Sequence, residues 1–77
     1  MDNKRVFKVD NGDKLLCELC KVESLERGME VIIQTQDSFL YREFVSVEND
    51  NIILKTMENK PGKVSNKTQL YRVIEKI

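Results

Sequence analysis

From Gly28 to Leu54 the chain reads GMEVIIQTQDSFLYREFVSVENDNIIL, and its apolar and polar positions follow the two-residue period of β-structure. Met29, Val31, Ile33 and Thr35 alternate with Glu30, Ile32, Gln34 and Gln36, which turns one face of a strand toward a core. Gln36, Asp37 and Ser38 break the pattern, and a run rich in aromatic and β-branched residues follows from Phe39 to Val47, within hairpin distance. Glu48, Asn49, Asp50 and Asn51 supply the next reversal. Asn and Asp tolerate the left-handed backbone conformation, so Ile52 to Thr56 can return antiparallel. The pattern predicts a three-strand meander.

The flanking segments extend it. Arg5 to Val9 is a predicted strand with Phe7 and Val9 on one face and Val6 on the other, ended by the reversing pair Asn11-Gly12. Lys14 to Arg27 admits two readings. As a helix, it is rich in Leu, Glu, Lys and Arg, with Asp13 as cap and Gly28 as stop. As a strand from Leu15 to Val22, it completes a hairpin across Asn11-Gly12, with Leu15, Cys17 and Leu19 on one side and Leu16, Cys20 and Val22 on the other. Glu58 to Lys67 (ENKPGKVSNK) holds the only proline and a Pro-Gly turn, and is expected to be an exposed loop. A closing strand from Gln69 to Ile77 would contribute Leu70, Val73, Ile74 and Ile77 to the core. The expected class is mainly β: a small antiparallel meander or partly open barrel of about five to six strands, with room for one short helix between Lys14 and Arg27.

Length changes the picture first. At 77 residues the chain has room for one domain. A domain of this size buries only about 60% of its unfolded surface and keeps roughly 5 kcal/mol of stability. With three Phe, two Tyr and no Trp, the core is short of large side chains, so association with a second copy or a partner protein would help it. Thirteen basic residues balance thirteen acidic ones, which argues against a domain devoted to holding a polyanion. Met1 is followed by Asp-Asn-Lys-Arg, and no apolar run approaches the ~18 residues of a membrane span, so a cytoplasmic location is expected.

Candidate chemistry is sparse. Cys17 and Cys20 form a CxxC, but a structural zinc needs four ligands, and with no His and no second Cys pair one chain supplies two. Only a site shared between two chains would complete it; otherwise the pair are small buried side chains. No thioredoxin-like βαβ pattern supports a redox role. Tyr41, Arg42 and Phe44 could act with Lys60, Lys63, Lys67 and Arg72 as an aromatic and basic surface for nucleic acid. Strand alternation, however, places Phe39 and Tyr41 on one face and Arg42 and Phe44 on the other, unless a bulge near Arg42 and Glu43 reunites them. Without His the usual nucleophilic triad is excluded, and Ser24, Ser46 and Ser65 lie in no nucleophile motif, so no enzymatic activity, cofactor or small-molecule substrate is expected.

Taken in order, VDNGDKL (Val9 to Leu15), RGMEVII (Arg27 to Ile33), FLYREFVSVENDNIIL, TMENKP and LYRVIEKI resemble the β-domain of the LexA-like self-cleaving peptidases. The resemblance implies a LexA-like β-fold, beside the SH3-like small barrel that the strand pattern also allows. The resemblance implies a Ser/Lys catalytic pair, and this chain departs from it at both places. Lys14 and Leu15 stand where the family has its Ser-Met, and Tyr41, Arg42 and Glu43 stand near its Lys. An always-charged Arg cannot serve as the desolvated general base. What the resemblance leaves is a non-catalytic scaffold that associates, as a homodimer or with a protein partner, through sheet edges at Arg5 to Val9 or Gln69 to Ile77. Nucleic-acid binding is the alternative.

Overall fold

The computed structural model describes residues 3–77. Seven antiparallel strands form one unclosed sheet: β1 (Lys4–Lys8), β2 (Lys14–Cys20), β3 (Glu30–Gln34), β4 (Phe39–Glu48), β5 (Asn51–Lys55), β6 (Pro61–Ser65) and β7 (Gln69–Lys76). Their order across the sheet is β1-β2-β7-β3-β4-β5-β6. β3 to β6 are therefore a meander, and β7 returns to lie between β3 and the N-terminal hairpin.

The ambiguity at Lys14 to Arg27 resolves to a strand followed by a single 3-10 turn, Val22–Ser24. Local helix propensity is outweighed there because β2 can pair on both sides, with β1 and with β7. Gly28 closes the segment in the left-handed region, at φ +96.

Two corrections concern the C-terminal third. Pro61 to Ser65 is a strand, not loop. Thr56 N–H donates to Lys60 C=O at 2.9 Å, so by antiparallel alternation the Lys55–Pro61 pair is the non-hydrogen-bonded kind. The nitrogen of Pro61 thus faces away from β5, and the first position of an edge strand is where proline is tolerated. In β7 the apolar contribution is Leu70 and Tyr71, both buried, with Val73 half-buried. Ile74 and Ile77 are exposed instead. A bulge opposite Leu16/Cys17 pairs Cys17 with Val73 and Leu16 with Glu75, leaving Ile74 outside the ladder.

The sheet carries a core on each face. Leu25, Val31, Ile33, Phe44, Ile52, Leu54 and Leu70 form one cluster. Phe7, Val9, Leu15, Cys17, Ile32 and Tyr71 form the other, across which the Phe7 ring meets Phe39 and Tyr71 edge-on at 4.9 and 5.0 Å. β3 belongs to both: Val31 and Ile33 face one way and Ile32 the other, all essentially without solvent exposure. This explains why Ile32 sits on the nominally polar side of the alternation. A central strand buried on both faces reads as an apolar run.

Candidate association edges

An unclosed sheet has two edges, and these two differ. Val9 N–H donates to Asp13 C=O, and Leu19 N–H to Asn3 C=O, each at 2.9 Å. Counting inward from either pair, Phe7 and Arg5 exchange hydrogen bonds with β2, whereas Val6 and Lys8 direct their N–H and C=O groups away from it. On β1, Phe7 is buried beneath the sheet and Arg5 lies over its ring, 4.9 Å from the centroid. Val6 stays 48% exposed beside half-buried Leu16, its direct cross-strand neighbour. β1 therefore offers both backbone groups and an apolar foothold. At the other edge the same alternation leaves Pro61, Lys63 and Ser65 facing outward, but Pro61 has no N–H and Ser65 C=O already accepts from Thr68 N–H. Only Lys63 offers both groups there. β6 is a blunted edge.

The segment Gln69 to Ile77, expected as a second edge, is interior: β7 is paired with β2 on one side and β3 on the other. Its backbone groups are consumed within the sheet.

The remaining candidate residues are scattered. Cys17 lies in the Phe7 cluster, while Cys20 packs against the Leu70 cluster on the opposite face. Three residues apart on a strand, they cannot turn toward one ion, and among the described residues no group of three or more His, Cys, Asp or Glu could hold a metal. Burial pushes the Cys17 thiol up to about 11. Burial also raises Cys20, opposed by the Ser24 hydroxyl and the positive charge of Arg72.

Tyr41 and Phe44 fall on opposite faces, so no stacking platform forms. The bulge in β4 comes at Val45, beyond Phe44, too late to reunite them. Tyr41 donates its hydroxyl proton to Glu30 Oε1, and burial, then that bond, raises its pKa well above the usual phenol range. Arg72 is engaged with Glu18, Nε to Oε1 at 3.0 Å. Lys67 sits in the β6–β7 turn, with its N–H on Ser65 Oγ. Arg42, Lys60 and Lys63 do come together, around a cleft of about 210 Å³ floored by Ile33, Leu40, Leu54 and Val64.

Pattern reading missed a third unpaired stretch. β4 pairs with β3 along Phe39 to Glu43, but its pairing with β5 begins only at Glu43–Lys55. The half-strand Phe39 to Arg42 has no neighbour on its β5 side. The signal was in the lengths: β4 has ten residues and β5 five.

No family model, no curated protein and no solved structure matches the chain.

Proposed function

We propose that this chain is a non-catalytic β-domain that works by protein association, taking up a strand from a second copy or from a partner protein along β1. The observation that carries this reading is the outward set of Val6 and Lys8 backbone groups next to the exposed side chain of Val6. Main-chain hydrogen bonds would supply affinity, and the Val6–Leu16 pair a point of apolar contact. The LexA-like resemblance is consistent with such a scaffold stripped of its Ser/Lys pair.

Val6→Pro is the discriminating variant. The Val6 N–H faces away from β2, so proline there removes an outward donor without removing a rung of the β1–β2 ladder. Assembly of the unmodified protein, followed by sedimentation velocity, should be lost in Val6→Pro while the monomer keeps its β-sheet circular dichroism. Assembly that survives the proline would overturn edge pairing at β1.

The second reading, nucleic-acid binding, is carried by the grouping of Arg42, Lys60 and Lys63 about one cleft. It requires salt-sensitive binding of a labelled single-stranded oligonucleotide.

A further inference from the structure

The half-strand Phe39 to Arg42 borders a groove of about 760 Å³, closed on its far side by Lys8 to Asn11 and at its end by Thr56 to Glu58. Thr35 N–H donates to Ser38 C=O and Phe44 N–H to Met29 C=O, both at 2.8 Å. Between these two pairs the alternation makes Ile33–Leu40 and Val31–Arg42 the hydrogen-bonded rungs, so Phe39 and Tyr41 direct their N–H and C=O groups into the groove. The groove continues the line of β5 and stops where Lys55 stops. Along this wall Phe39 N–H and C=O and Tyr41 N–H face the groove without a strand partner among the described residues, while Tyr41 C=O accepts from the Arg42 guanidinium.

Arg42 stands at its inner end, where it also borders the smaller cleft beside β6. The guanidinium is partly buried. Its hydrogen bond is from Nη1 to Tyr41 C=O at 2.9 Å, and no carboxylate lies within ion-pair distance among the described residues. A guanidinium has five N–H donors, so most of its capacity is unspent. Apolar surface is at hand in Phe39, Leu40 and the 47%-exposed Met57.

We infer that the groove beside Phe39 to Arg42 receives an extended segment of a partner protein, pairing with the backbone of Phe39 and Tyr41 and placing one Asp or Glu side chain on the Arg42 guanidinium. A single carboxylate is required rather than an acidic run, because Asp10 and Glu58 also line the groove and offset Lys8 and Arg42. A phosphodiester chain fits less well: it brings no backbone donors or acceptors of strand spacing, and it would meet the two acids. Lys8 borders this groove as well as ending β1, but the ladder here lies on Phe39 and Tyr41 and the β1 association centres on Val6, so Val6→Pro and Arg42→Gln distinguish the two.

The test uses the full chain and short fluorescein-labelled peptides, amidated at the C-terminus, that alternate valine with threonine around one central glutamate. A matched peptide carries glutamine in that place, and a labelled oligo-dT serves as the competing class. Saturable binding of the glutamate peptide is expected, weakened about tenfold or more by the glutamine exchange and by Arg42→Gln, the loss of a charge-assisted pair. Amide shifts in heteronuclear NMR should centre on Phe39 and Tyr41, and the Arg42→Gln spectrum shows whether that variant is folded. Equal binding of the two peptides, shifts centred elsewhere, tighter binding of oligo-dT at these amides, or no saturable peptide binding would each overturn the inference.

Discussion

Arg42 and Arg72 stand in one cross-strand row, each directly opposite Val31 from either side, yet only Arg72 meets a carboxylate. Glu18, the residue across from Arg72 on β2, supplies it. The pair links the N-terminal hairpin to β7, but at 43% and 31% side-chain exposure it is well solvated. Glu18→Gln should therefore cost only about 0.5 kcal/mol, measured as a shift in urea midpoint with unchanged slope. Arg42→Gln, which breaks no ion pair, should stay within about 0.5 kcal/mol of the parent. A loss several times larger at Arg42 would mean that the guanidinium is structural, leaving it unsuited to bind a partner.

Ile32 is the most demanding position in the sheet. It is fully buried in the smaller cluster while its neighbours Val31 and Ile33 are buried in the other, so a void there weakens the one strand that both cores share. Ile32→Ala should cost about 3 kcal/mol, and Ile32→Val about 1 kcal/mol. Against a total stability of roughly 5 kcal/mol, the alanine variant should be close to half-melted under mild denaturant. Thermal and urea denaturation of the pair check this, and an alanine cost near that of valine would show that the two clusters repack freely.

The meander was legible because its signals are local: alternation in Met29 to Thr35, aromatic and β-branched residues in Phe39 to Val47, and left-handed formers at the turn. β6 was not legible, because its five residues contain Pro61, Gly62 and only one apolar side chain, Val64. What makes it a strand is the β5 edge beside it, a neighbour that no window of sequence displays. The same limit hid the position of β7. Its alternation fits an edge or a centre equally well, and only the N-terminal hairpin pairing with β7 made it interior. Helix propensity left Lys14 to Cys20 undecided for the converse reason: Lys, Leu and Glu are good helix formers, but the Asn11-Gly12 reversal places the segment against β1 before helix can propagate. Of the candidate site residues, the separation of Tyr41 from Phe44 and of Cys17 from Cys20 followed from parity alone. The unpaired half of β4 depended on where β5 ends.

The β4–β5 reversal can be improved. Asn49 and Asp50 both have positive φ, at 49 and 64, the backbone of a two-residue type I′ hairpin. Gly is favoured over Asp at the second of these positions, because it reaches the left-handed region without a Cβ penalty. Asp50→Gly should thus stabilise by about 0.5 kcal/mol, whereas Asp50→Val should cost about 1–2 kcal/mol. Denaturant midpoints of the two variants, compared at equal slope, decide the matter.

Burial has a chemical consequence at Cys17. Its thiol is enclosed by the Phe7 cluster and pushed up to about 11, so at pH 8 it is both neutral and inaccessible. Cys20 is raised as well, but it is only half-buried. Since the thiolate is the reactive form, Ellman's reagent should titrate Cys20 first and Cys17 only as the sheet opens. In a Cys20→Ser background the remaining thiol should label at a rate that rises with urea in step with unfolding, and labelling independent of urea would contradict its enclosure. The sign of the pH effect follows from the same shift. Above about pH 9 the unfolded chain gives up the Cys17 proton while the folded one keeps it up to about 11, so the unfolded state holds fewer protons and stability falls as pH rises across that window. The loss attributable to this thiol is roughly 3 kcal/mol at most, absent below about pH 9 and complete above about 11. Urea midpoints taken from pH 8 to pH 11 should therefore decline less steeply in Cys17→Ala than in the parent, even though the variant starts lower because of the methyl-sized void it creates.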